Sequence, residues 1–172
     1  MSDWFVPTGD EVQKVAFVAH ERVFKKTNLG WKNRGGLVTD KYKDYCINLY
    51  GAFGEYFVSK YLNIMWGTGL VDVNGADLVS RDGHGIQVKT SIYPTGGLIH
   101  REYETATDFH VLVVADDQPF SFKIAGWMSG EEVRNEEYYD DPIMRNGRPP
   151  CYFVKQENLY DIKALKHQLD IT

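Results

Sequence analysis

Asp77 lies ten residues before Gln87-Val88-Lys89, and the segment between them carries Asp82-Gly83, a strong hairpin turn signal. Gln87 and Lys89 are two apart on a strand and share a face. Register decides whether Asp77 joins them. A two-residue turn at Asp82-Gly83 pairs Arg81 with His84 and sets Asp77 opposite Val88, on the wrong face. A three-residue loop, Asp82-Gly83-His84, pairs Arg81 with Gly85 and sets Asp77 opposite Lys89. Glycines at 83 and 85 make this bulged loop easy, and it is the expected one. In that register Asp77 and the Gln87 amide oxygen supply hard oxygen ligands, and the Val88 backbone carbonyl is a candidate third. Such a set suits Mg²⁺, with Mn²⁺ able to substitute, because both bind oxygen and keep waters for a substrate phosphate. The Lys89 ammonium would stand beside the metal, where it can orient an attacking water or offset transition-state charge. Phosphodiester hydrolysis is the chemistry these residues could perform.

Several elements must position them. A helix is expected from about residue 42 to 62, with Cys46, Leu49, Phe53, Phe57 and Tyr61 along its core stripe. Glu55 falls about 200° round that helix from Phe53. Its neighbours Gly51, Ala52 and Ser59 are small, so its carboxylate can approach another element and complete the site; it reads equally as an ordinary solvated residue. Upstream, Thr8 and Glu11 have capping-box spacing, and Val12, Val15, Ala16, Ala19 and Val23 predict a first helix over about 10–25. The strand-like runs 69–73, 76–81 and 85–93, separated by Asn74-Gly75 and Asp82-Gly83, predict an antiparallel meander. Residues 109–115 read as a strand buried on both faces, and 120–125 as a further strand. A turn at 126–129, a short helix over 130–137 and a last helix over 158–169 complete the order. Asp72 and Asp82 read as turn residues, and the five histidines show no metal-ligand spacing.

Residues 45–130, with Gly54-Glu55 on a helix, Asp77 and Gln87-Val88-Lys89 on a hairpin and a buried strand after them, resemble the PD-(D/E)XK nuclease superfamily. The resemblance implies a restriction-endonuclease-like α/β domain, with a central mixed sheet of meander plus buried strand flanked by helices. It implies that Glu55, Asp77 and Gln87 are metal-site residues and that Lys89 is the catalytic lysine. Two positions depart from the pattern: Ala76 stands where the motif has Pro, and Gln87 replaces the second acid, which removes a negative charge and should weaken metal binding.

The chain of 172 residues, 43% of them hydrophobic, fits one domain, residues 1–172, and excludes disorder as its main state. Cys46 and Cys151 offer neither a disulfide framework nor a paired-cysteine zinc site, which suits a reducing compartment. No apolar run approaches a membrane span and no basic leader opens the chain, so a soluble cytoplasmic protein of a bacterial cell, phage-encoded or not, is expected. The net charge of -5 excludes a surface that is basic throughout, yet residues 12–43 hold eight basic against two acidic residues. Within this basic helix and loop, Lys25, Lys26, Lys32 and Arg34 could meet phosphates while Trp31 stacks on a base or sugar; the same lysines also suit a plain solvated face. The leading expectation is a Mg²⁺-dependent DNA endonuclease, with DNA as partner, no membrane, and a homodimer left open. The rivals are an exonuclease or junction-resolving nuclease, and a non-catalytic nucleic-acid-binding module on the same fold.

Overall fold

The computed structural model describes residues 4–28, 41–67, 75–104, 107–118, 120–140 and 150–171. Two helices open the chain, α1 (Gly9–Asn28) and α2 (Lys41–Tyr61). The capping box forms as its spacing predicts: the Thr8 amide donates to Glu11 Oε2 at 2.8 Å and the Glu11 amide to Thr8 Oγ1 at 3.3 Å. Glu11 also accepts from Tyr56 Oη (3.0 Å) and Lys60 Nζ (2.6 Å) on α2, which ties the start of α1 to the end of its neighbour. Burial works against the Glu11 charge, but Lys60, the Thr8 amide and the Tyr56 hydroxyl outweigh it and hold the carboxyl down at about 2.

The strands are β1 (Leu78–Val79), β2 (Gly85–Ser91), β3 (Leu98–Arg101), β4 (Phe109–Asp117), β5 (Phe120–Ser129), β6 (Tyr139–Asp140) and β7 (Cys151–Val154), followed by helix α3 (Ile162–Gln168). They form a four-stranded sheet of order β1-β2-β4-β5 and a three-stranded sheet of order β3-β7-β6. The larger sheet is mixed, because β2 and β4 run parallel while β1–β2 and β4–β5 are antiparallel. The protein is thus α/β, with helices on a mixed sheet. No helix among the described residues is long and apolar enough to cross a membrane.

Alternation along β2 sorts its residues between two interiors. Ile86 and Val88 join Val111, Val113, Phe122 and the α2 residues Phe53 and Phe57 in the core beneath the helices. On the opposite side, Leu112 and Met128 pack with Leu98, Val154 and Val133 beneath the smaller sheet. β4 is buried on both faces, as its continuous apolar run requires.

Several expectations are corrected. The strand run 69–73 lies outside the described residues, and the run 76–81 supplies only the two-residue β1. β5 continues through 126–129 instead of turning there. Gly126 allows this: a Cβ at that position would come within 2.6 Å of Leu159 Cβ and 2.7 Å of the Tyr160 carbonyl, and the adjacent Trp127 pairs with Tyr160 through two backbone hydrogen bonds of 2.9 and 3.0 Å. That pairing holds Tyr160 extended, so the last helix starts at Ile162, capped by Asp161, not at 158. Residues 130–137 give two 3-10 turns, Glu132–Arg134 and Glu136–Tyr138, in place of a helix. β3, β6 and β7 were not expected at all.

Helix α2 meets β2 at Gly54, where an added Cβ would lie 2.0 Å from Thr90 Oγ1. Gly54→Ala should therefore lower unfolding stability by about 1–3 kcal/mol, measured by denaturant titration. Adding Thr90→Ala, which removes the obstructing atom, should recover most of that loss.

Candidate active site

The hairpin between β1 and β2 pairs Leu78 with Ile86 and Val79 with Gly85. Its loop does hold three residues, but they are Arg81-Asp82-Gly83, closed by the Ser80 amide donating to the His84 carbonyl at 2.9 Å; Gly83 takes φ +94°. The register is therefore shifted from the one that would set Asp77 opposite Lys89. Ser80 explains the shift, since its Oγ accepts the His84 amide (2.9 Å) and donates to Asp82 Oδ1 (2.5 Å), fixing a tight turn one residue early.

Asp77 has stepped out of the ladder. Its amide donates to the Ile86 carbonyl at 3.1 Å although Leu78 is the residue paired with Ile86. The side chain then continues what the strand left off: Asp77 Oδ2 accepts the Val88 amide at 2.7 Å and Gln87 Nε2 at 2.5 Å. The backbone groups of Ile86 and Val88 point to the same edge of β2, so the Val88 carbonyl faces the edge where Asp77 sits. Oδ1 of Asp77 takes no hydrogen bond among the described residues. Burial first, and then the negative charge of Glu55, raise the Asp77 carboxyl to about 7; the Val88 amide, Lys89 and Arg22 pull the other way without prevailing.

Glu55 is buried on α2. Its carboxylate is gripped from α1 by Arg22, whose Nη1 donates to Oε1 at 2.8 Å and Nη2 to Oε2 at 2.5 Å. The polar approach that the small residues around Glu55 allow is thus made by an arginine of the basic segment. Lys14 of the same segment stays exposed, with its ammonium 5.4 Å from the Tyr56 ring and 5.7 Å from the Trp66 ring. Lys25 is half-buried near the end of α1. Trp31, Lys32, Arg34 and the side chain of Lys26 lie outside the described residues.

Lys89 shares the Gln87 side of β2, and its Nζ donates to Glu104 Oε1 at 2.6 Å. Below this pair, His100 and His110 are fully buried with ring centroids 4.8 Å apart. Burial lowers both: His110 falls to about 3, helped by His100, Lys89 and Arg134, and His100 also falls, despite the opposing charge of Glu104. Sequence reading missed Glu104, His100, His110 and Arg134, and no spacing signal marks them, because they come together only through β3 and the 3-10 turn.

Among the described residues no group of three or more His, Cys, Asp and Glu side chains could hold a metal ion. The oxygens on this edge that a hydrated Mg²⁺ could use are the unclaimed Asp77 Oδ1 and the Val88 carbonyl; the Gln87 amide, whose nitrogen now faces Asp77, would have to turn over to present its oxygen. Glu55 does not enter that set while Arg22 holds both of its oxygens. No family model matches the chain, and no curated protein matches it either.

The raised carboxyl makes a test by pH. A group whose folded value lies above its unfolded value of 3.8 contributes stability below that value and loses it as pH rises through about 7. Asp77→Asn keeps the amide contacts and cannot ionise. Its stability relative to wild type should be near neutral at pH 3.5, rise between pH 4 and 7, and level off above at a gain on the order of a few kcal/mol. Thermal unfolding at a series of pH values measures this, and a flat difference would contradict it.

Proposed function

We propose that the chain is a divalent-metal-dependent nuclease with a restriction-endonuclease-like fold, hydrolysing phosphodiester bonds in DNA. The observation that carries this reading is the state of Asp77. Its carboxyl is half-buried, anchored through one oxygen, open through the other, and set near the Glu55 carboxylate, whose negative charge helps to keep it protonated. A divalent cation relieves such a site. Asp77 Oδ1, the Val88 carbonyl and, once the amide turns over, the Gln87 oxygen would hold it. When bound, the metal supplies Lewis acidity toward the phosphate and a water more easily deprotonated than in bulk.

The remaining roles belong to the chain itself. Val88 and Gln87 aim the Asp77 carboxylate by fixing Oδ2. Lys89 places a cation on the same side of β2, where it can orient the attacking water or meet charge that develops on the phosphate. Arg22 pairs with both oxygens of Glu55 and so keeps that carboxylate neutralised beside the site. Lys25, Lys26, Trp31, Lys32 and Arg34 are the proposed contacts to the nucleic-acid backbone and bases, at the end of α1 and beyond it.

A second reading is a non-catalytic DNA-binding module, favoured by one observation: Arg22 already neutralises Glu55, and Gln87 turns its nitrogen, not its oxygen, toward Asp77. Incubating plasmid, single-stranded and branched DNA with and without Mg²⁺ or Mn²⁺ separates the two. Metal-dependent cleavage by wild type, reduced at least about a hundredfold by Lys89→Ala at unchanged DNA affinity, is the expected result. Binding without cleavage under every condition would establish the module instead.

Gln87→Glu probes the metal directly. It sets two carboxylates in contact, so the metal-free variant should unfold at lower temperature than wild type at pH 8. Mg²⁺ should raise its melting temperature by more than it raises that of wild type. Equal Mg²⁺ responses would show that residue 87 does not face a cation.

A further inference from the structure

We infer that Glu104 is the positioning residue for Lys89, a role that rests on the nuclease reading above. A strand position fixes only the Cα of a lysine; the four-carbon stem leaves its ammonium free to wander, and holding it in one place costs side-chain entropy. Something must hold Lys89 if it is to act at a defined point. The structure provides one carboxylate for this, at 2.6 Å, from the turn that follows β3.

That carboxylate is itself held. Glu104 Oε2 accepts the Arg101 amide at 3.2 Å, and the Glu104 carbonyl accepts Arg134 Nη2 at 3.3 Å. Arg134 Nε donates to His100 Nε2 at 3.0 Å, which leaves the proton of the neutral imidazole on Nδ1, the nitrogen 3.6 Å from Glu104 Oε2. His100 thereby offers Glu104 a dipole and not a full charge. His110, behind His100, is neutral as well. The Glu104 charge is left to Lys89, with Arg134 spread across the backbone carbonyl and the ring. The Lys89 and Glu104 side chains remain 26% and 21% exposed, so the pair is within reach of a substrate and is more than a buried brace.

Glu104→Gln, Glu104→Asp, Lys89→Ala and the Lys89→Ala/Glu104→Gln double variant, assayed as full chains with Mg²⁺ on a cleavable DNA, test this. Glu104→Gln should lower kcat at least tenfold with KM and melting temperature close to wild type. Glu104→Asp, which keeps the charge on a shorter stem, should regain part of that loss. In the Lys89→Ala background Glu104→Gln should cost nothing further, because it acts only through the lysine. Wild-type kcat in Glu104→Gln, losses that multiply in the double variant, or a folded Glu104→Asp no more active than Glu104→Gln would each overturn the inference while leaving the nuclease reading intact. A wild-type chain that cleaves no DNA overturns both.

Discussion

Asp77 beside the β1–β2 hairpin, half-buried, and Glu55 on α2, buried, are two carboxylates close enough for one to raise the pKa of the other. An unbalanced buried charge costs several kcal/mol, so each must be neutralised, bonded or protonated. The structure answers differently for each. Glu55 receives a two-pronged guanidinium from α1, which makes Arg22 a tether between the first two helices as well as a counter-charge. Asp77 receives two hydrogen bonds among the described residues and keeps its proton to near neutrality. The placement of α1 is thereby coupled to the hairpin: α2 lies against β2 at Gly54, α1 lies against α2 at Arg22–Glu55 and at Glu11–Lys60–Tyr56, and the charges of Glu55 and Arg22 both act on Asp77.

Much of the scaffold around this pair was legible in the chain, and the reasons are local. The Thr8/Glu11 box, the apolar stripe of α2 and the unbroken run of β4 each specify an element through residues a few positions apart. The alternation of Ile86, Gln87, Val88 and Lys89 separated core from site without any knowledge of the partner strand. The loop of the hairpin was less legible, because Ser80 decided its closure with a side chain that could have done nothing of the kind in another turn. Residues bound together across long separations were not legible at all. Arg22 reads as one more cation in a basic segment until Glu55, 33 residues later, is seen to face it. Leu98–Arg101 and Cys151–Val154 are too short to stand out, and they become strands by pairing with each other and, for the second, with Tyr139–Asp140.

The two sides of β2 carry different kinds of interior. Toward the helices lies an aromatic core in which Phe53 stacks on Phe122 and Phe5 on Phe57. Toward the smaller sheet, next to the apolar group around Leu112, lies a polar layer of Lys89, Glu104, His100, His110 and Arg134. Polar layers of this kind are costly unless nearly every member finds a partner. Here the Nδ1 atoms of His100 and His110 find none within hydrogen-bond distance, so the layer is held at less than its full bonding capacity.

The outer edge of β5 is sealed by segments from far along the chain in both directions. Phe5 exchanges two backbone hydrogen bonds with Phe122, at 2.7 and 2.8 Å, and Tyr160 does the same with Trp127. On a ribosome, the first of these partners is made before β5 and must wait for it, and the second emerges only after β7. The nascent chain therefore holds an assembled β4–β5 pair with part of its edge still open, and an open edge is the surface on which other strands add. Synthesis order thus sets a window in which the sheet is most exposed to wrong partners, and it closes only when Tyr160 reaches Trp127.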